Sequence, residues 1–143
     1  MAKNIIIING PNLNLTGKRE KNIYGEESFE NYFDKKLVPY SKKFDLNLEY
    51  FQSNHEGAII DKIHSCIGTK DFIIINPGAL THYSYSIHDA LSASRISSIE
   101  VHMSNIFSRE DWRSISVVSP AAMGVISGFG LNSYLLALQS IAD

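Results

Sequence analysis

Four consecutive isoleucines, Ile5 to Ile8, run straight into Asn9-Gly10-Pro11-Asn12. Isoleucine is stiff at χ1 and favours extended backbone. A run that is apolar at every position, with no alternation, belongs in a strand covered on both faces. It is far too short to span a bilayer or to serve as the core of a signal peptide. A strand of this kind needs a layer of helices above it and another below.

The rest of the chain supplies both kinds of element. Phe72 to Ile75 repeats the buried-strand pattern, Ile99 to Met103 and Ile115 to Val118 read as a fourth and a fifth strand, and Leu46, Leu48 and Tyr50 alternate with polar residues as a strand near an edge. Phe29, Phe33, Leu37, Tyr40 and Phe44 recur at helical spacing behind a capping Ser28, with Pro39 expected to kink or end that helix. Ser53-Asn54-His55-Glu56 has capping-box spacing ahead of Ile59, Ile60, Ile63 and Ile67. A short helix is predicted over Tyr83 to Ala93. The stretch Pro120 to Ile141 reads as helical, with a break near Gly130 and a firmer helix from Tyr134. Five strands each followed by a helix predict an α/β fold, a doubly wound five-stranded parallel sheet with helices on both faces. No shift in composition divides residues 1–143, so a single domain is expected, and 143 residues suffice for a proper core.

Thirteen basic and fifteen acidic residues give a formal charge of −2, which argues against a nucleic-acid surface built on net charge. Cys66 is the single cysteine, so neither an intramolecular disulfide nor a zinc–thiolate cluster can form. Absent any long apolar stretch, the expectation is a soluble, cytoplasmic protein with no membrane contact. The five histidines form no ligand pattern, and neither GxGxxG nor GxxxxGK[ST] is present, so no metal or nucleotide cofactor is expected.

In doubly wound sheets ligands bind beyond the carboxyl ends of the strands. Three polar clusters fall there: Asn12 to Tyr24, Asn76 to His82, and His102 to Asn105. The first follows the isoleucine run and is longer than the roughly 2 to 6 residues of an ordinary connection. Alternation places Glu100 and His102 on one face of their strand. The carboxylate can then hold one imidazole nitrogen, favour the protonated ring and leave the other nitrogen for a substrate; the other reading is a solvent-facing histidine. Arg19 beside Tyr24 favours the phenolate, so the pair can make a base. Asn12, Asn76 and His82 suit a hydroxylated ligand, and Ser104 with its neighbouring amide suits a carboxylate. Equally, Asn12 can close an Asx turn, and Asn76-Pro77-Gly78 can be only a turn. Arg109 and Arg113, four apart on an expected helical segment, form either an anion clamp or a solvated face. Asp89 either caps its helix or reaches a neighbouring subunit. These residues alone leave three classes open: an acid–base enzyme, a non-catalytic module for a polyhydroxy carboxylate or nucleotide, and a structural oligomer-forming domain.

The ordered motifs narrow the choice. Asn9-Gly10-Pro11-Asn12-Leu13-Asn14-Leu15, Gly17-x-Arg19-Glu20, Tyr24-Gly25, Gln52-Ser53-Asn54-x-Glu56-Gly57, Ile75-Asn76-Pro77-Gly78-Ala79-x-Thr81-His82, Asp89-Ala90-Leu91, Glu100-Val101-His102-x-Ser104-Asn105 and Tyr134-x-x-x-Ala137-Leu138 together resemble type II 3-dehydroquinate dehydratase along nearly the whole chain. The resemblance implies a flavodoxin-like domain, assembled as a dodecamer (a tetramer of trimers), without metal or organic cofactor. It implies reversible dehydration of 3-dehydroquinate to 3-dehydroshikimate, in the shikimate pathway or in quinate breakdown, by anti elimination through an enolate. By that resemblance Tyr24, assisted by Arg19, is the base; Asn12 holds the water that stabilises the enolate; and His102, oriented by Glu100, is the acid. Asn76, His82 and Arg113 grip substrate hydroxyls, the Met103 and Ser104 amides with the Ser104 hydroxyl take the carboxylate, and Asp89 reaches into a neighbour's site. Lys21-Asn22, His55, His88 and Trp112 depart from the residues usual in that family, and none of them carries an implied role.

Overall fold

The computed structural model describes residues 1–18 and 27–143. Its centre is a five-stranded sheet in the order β2-β1-β3-β4-β5, formed by β1 (Lys3–Asn9), β2 (Leu46–Gln52), β3 (Phe72–Asn76), β4 (Ser97–His102) and β5 (Gly124–Ser127). All neighbours pair in parallel. The isoleucine strand lies inside the sheet and the alternating Leu46-to-Tyr50 strand at its edge, as their patterns require. The order reverses between β1 and β3, so their carboxyl ends open a crevice at the switch point.

The isoleucines of β1 divide between two cores. Ile5 and Ile7 join Ile74, Ile99 and Val101 under Phe29, Leu37, Tyr134 and Leu138 on one face. Ile6 and Ile8 join Ile73 and Ile75 under Ile59, Ile63, Ile87 and Leu91 on the other. Each such side chain, fully removed from water, contributes about 1.5–3 kcal/mol. The first face is covered by α1 (Phe29–Tyr32), α2 (Val38–Lys43) and α5 (Asn132–Ala142), the second by α3 (Glu56–Ser65) and α4 (Tyr85–Ser94). The flavodoxin-like architecture is therefore present.

Several local expectations are corrected. Pro39 does not end its helix early but follows a distortion in it: Phe33–Leu37 widens into a π-helical turn between α1 and α2, with the Val38 N–H reaching back to Phe33 O. Ser28 caps α1 as expected, accepting from Asn31 N at 3.1 Å. The capping box before α3 does not form; Ser53 Oγ accepts from His55 N at 3.0 Å, and Glu56 accepts from Ser84 Oγ, the cap of α4. The fifth strand is Gly124–Ser127 rather than Ile115 to Val118. Ile115-Ser116-Val117 bonds to side chains and to Thr81, outside the sheet. Accordingly no α-helix joins β4 to β5, only short 3-10 turns, and the helix expected from Pro120 begins at Asn132.

Candidate active site

Gly10 N donates to Asn76 O at 2.8 Å as the chain leaves β1 beside β3. The two exits pass so closely that a Cβ on Gly10 would lie 2.4 Å from Pro77 O. Gly78, at φ +63°, turns beneath Pro11 and donates to Asn76 Oδ1 at 3.2 Å. The Asn76 turn is thus real, and it leaves the side chain in the site rather than excluding it. Asn12 adopts a left-handed φ of 70° and its amide donates to Asn54 Oδ1 at 3.0 Å. Its side chain does not cap the following 3-10 turn, so the self-closing Asx turn is not formed.

Asn9 and Asn76 face each other across β1 and β3, and a phenol from α5 lies between them. Tyr134 Oη donates to Asn9 Oδ1 at 2.8 Å and accepts from Asn76 Nδ2 at 2.9 Å. Burial first, with Tyr50 nearby, pushes the Tyr134 phenol upward, so it stays protonated and always has a hydrogen to donate. The pair of bonds fixes which way the Asn76 amide points.

These exits, with the end of β4, enclose an open cleft of about 660 Å³ including its mouth. Asn12, Asn76, His82, His102, Met103, Ser104 and Arg113 all line it. Glu100 lies directly behind His102, with none of its surface exposed. Its Oε2 is 2.5 Å from His102 Nε2, and Oε1 accepts from Ser116 Oγ at 2.9 Å and Ser119 Oγ at 3.0 Å. Burial by itself would raise the Glu100 carboxyl; the His102 hydrogen bond and charge, helped by the two hydroxyls, outweigh it and hold the group below its ordinary range. With Nε2 engaged, Nδ1 is the imidazole nitrogen left for a ligand.

His82 Nδ1 donates to Ile115 O at 2.7 Å, and the ring meets Trp112 edge-on, with centroids 5.2 Å apart. Burial, followed by the charges of His102 and Arg113, draws His82 below the usual imidazole value against the opposing pull of that carbonyl. A neutral ring tied at Nδ1 presents the Nε2 lone pair to a hydroxyl. Arg113 stacks 4.0 Å from the centre of the Trp112 ring and donates from Nε to Glu110 Oε2 at 3.0 Å. Arg109 donates to Ser104 Oγ at 3.0 Å. The two arginines do not share a helix face: Arg109 is extended between two 3-10 turns. Both nevertheless line the cleft.

Asp89 is exposed on α4 and does not line the cleft of its own chain. Arg19 and Tyr24 lie outside the described residues. Sequence reasoning missed Ser116, Ser119 and Tyr134 as parts of the site, and Thr81, whose buried Oγ1 lies 3.4 Å from His102 Nε2. Ser116 and Ser119 sit within a segment that reads as strand and helix start, and nothing in their spacing points toward β4. Tyr134 looked like one more apolar position of a helix.

The whole chain can be set beside known proteins. Residues 3–142 match the family described as dehydroquinase class II. A 3-dehydroquinate dehydratase of Caldicellulosiruptor bescii is 55% identical over 142 residues, covering 99% of this chain and 97% of that protein. One from Prochlorococcus marinus strain MIT 9215 is 53% identical over 138 residues, covering 96% and 93%. Among solved structures, the type II dehydroquinase from Butyrivibrio crossotus superposes with a TM-score of 0.95 at 50% identity, covering 99% of both chains.

Proposed function

The chain belongs to the class II dehydroquinase family, and from that membership we propose a division of labour among its residues for the dehydration of 3-dehydroquinate to 3-dehydroshikimate. The reaction needs no cofactor and passes through an enolate. The proton α to the ketone is weakly acidic, so its removal requires a strong base and a partner for the charge developing on oxygen. The β hydroxyl is a poor leaving group and requires an acid.

Tyr24, with Arg19 beside it in sequence favouring the phenolate, takes the C2 proton. Asn12 holds the water that hydrogen-bonds to the enolate oxygen. His102 then gives its proton to the C1 hydroxyl, which leaves as water while the C1–C2 double bond forms. Glu100 keeps His102 oriented until that step. Asn76, His82 and Arg113 take the ring hydroxyls, His82 as acceptor and Arg113 as donor. The Met103 and Ser104 amides, with the Ser104 hydroxyl, take the carboxylate. The single observation that supports this reading best is the buried Glu100–His102 pair, 2.5 Å apart, with the imidazole opening on a cleft lined by neutral amides and arginines.

The assembly is a dodecamer built as a tetramer of trimers, with Asp89 of one subunit serving a neighbour's cleft. Asp89 is exposed on α4 and remote from its own cleft, as such a role needs, and Tyr83, Tyr85, Phe107 and Phe129 are exposed apolar surface for subunit contacts. The enzyme works in the cytoplasm, in biosynthesis or in quinate breakdown. No described helix is long and apolar enough to cross a membrane.

The direct assay adds 3-dehydroquinate to the purified protein and follows the enone absorbance of the product. Turnover that EDTA leaves unchanged is expected. A well-folded protein giving no absorbance change would sink the activity, and full turnover by Tyr24→Phe would remove Tyr24 as the base.

A further inference from the structure

We propose that Ser116 and Ser119 are positioning residues for the dehydration, acting through Glu100. This rests on the reading of His102 as the acid.

The segment Ile115 to Ser119 is a strap across the end of the sheet, fastened at every turn. Ile115 O accepts from His82 Nδ1 at 2.7 Å, Val117 N donates to Thr81 O at 2.8 Å, and Val117 O accepts from His88 Nδ1 at 2.8 Å. Val118 is fully buried in the core beside α4. Ser116 Oγ accepts from Val118 N at 3.2 Å and Ser119 N at 2.9 Å. With both lone pairs taken by backbone amides, its single hydroxyl hydrogen is directed at Glu100 Oε1, 2.9 Å away. Ser119 Oγ donates to the same oxygen at 3.0 Å.

One carboxylate oxygen is therefore held by two hydroxyls and the other faces His102 Nε2. Glu100 cannot rotate without breaking two bonds, and its ionised form is the one these donors favour. The titratable groups facing it are His102 on its own strand and His82 from the turn after β3. On the covering helices, Glu56 is bonded to Ser84 and His88 to Val117 O. His88 thereby has a part in holding the strap.

The test is steady-state kcat and KM for Ser116→Ala, Ser119→Ala and the double variant, with Ser116→Thr and Ser119→Thr as hydroxyl-retaining controls and thermal unfolding as a check on folding. Without a donor, Glu100 is free to turn away from His102, and the acid is no longer held in place. kcat should fall several-fold in a single alanine variant and further in the double. KM should stay within about twofold, because neither serine lines the cleft. The threonine variants should keep kcat near wild type. A kcat that does not fall in either single alanine variant overturns the proposal. So does an equal fall in the alanine and threonine variants. His102→Ala, run alongside, separates the two readings: if it turns over normally the acid assignment itself fails, whereas an inactive His102→Ala with unimpaired serine variants removes only the serines.

Discussion

Glu100 carries a charge with no exposed surface, and its pKa lies below the ordinary carboxylate value. A group whose pKa falls on folding adds stability above its unfolded pKa, and that stability is lost as pH drops through the folded value. Wild type should therefore exceed Glu100→Gln in unfolding free energy at neutral pH. The gap should narrow as pH falls through and below about 4; a gap constant from pH 7 to 3 in urea titrations would refute this sign. His102→Ala should fold normally and lose at least about 100-fold in kcat, the lower end of what a positioned acid contributes. Arg113 makes a different kind of contribution, because its guanidinium is held by stacking on Trp112 as well as by Glu110. Lysine keeps the charge but cannot form that planar contact. Arg113→Lys is thus expected to raise KM several-fold while leaving the limbs of the pH profile in place, measurable in one steady-state series.

Among the elements, the crossing of the β1 and β3 exits is the tightest constraint on the cleft. Alanine at Gly10 would put its Cβ 2.4 Å from a backbone oxygen, and neither side has a flexible tip to move aside. Gly10→Ala should cost about 1–3 kcal/mol, as overpacking does, and should lower activity by displacing Asn12 and Asn76 together. Gly57, inside α3, meets nothing within 4 Å. Gly57→Ala should instead add about 0.5 kcal/mol through helix propensity alone. Chemical denaturation of the two variants gives opposite signs if the close approach is as described.

The same elements show what the sequence made readable. β1 and β3 announced themselves through the unbroken apolar runs Ile5 to Ile8 and Phe72 to Ile75, since both of their faces are buried, and β4 through apolar Ile99, Val101 and Met103 at every second position. Alternation then placed Glu100 and His102 together. β5 was mislocated because it is short, contains a glycine and has an exposed valine at Val125. Ile115-Ser116-Val117-Val118 imitates a buried strand while serving as a strap. Hydroxyl-to-carboxylate bonds between residues 16 and 19 positions apart leave no periodic trace, so Ser116 and Ser119 became visible only in three dimensions.

For the whole molecule, the proposed assembly sets a plain measurement. Light scattering should report about twelve times the 16.0 kDa chain mass, well above what a free trimer or a hexamer would give. Asp89→Ala should lower activity in that assembly even though Asp89 does not line the cleft of its own chain. Unchanged activity would separate Asp89 from any neighbour's site. Exposed Phe107, Phe129 and Val125 near the β5 edge would be an aggregation hazard on an isolated monomer.

The phenol of Tyr134 sets a schedule as well as a geometry. Synthesis runs from the amino end, and α5 is the last of the five helices to emerge. A ribosome that has completed all five strands has already made Asn9, Asn76, Glu100 and His102, yet nothing so far spans the gap between the two asparagines. Until α5 docks and lends its hydroxyl to both, Gly78 N alone steers the Asn76 amide, and Asn9 Oδ1 lacks its phenol donor. Full order at the switch point is thus a late event in the life of each new chain, arriving with the docking of α5.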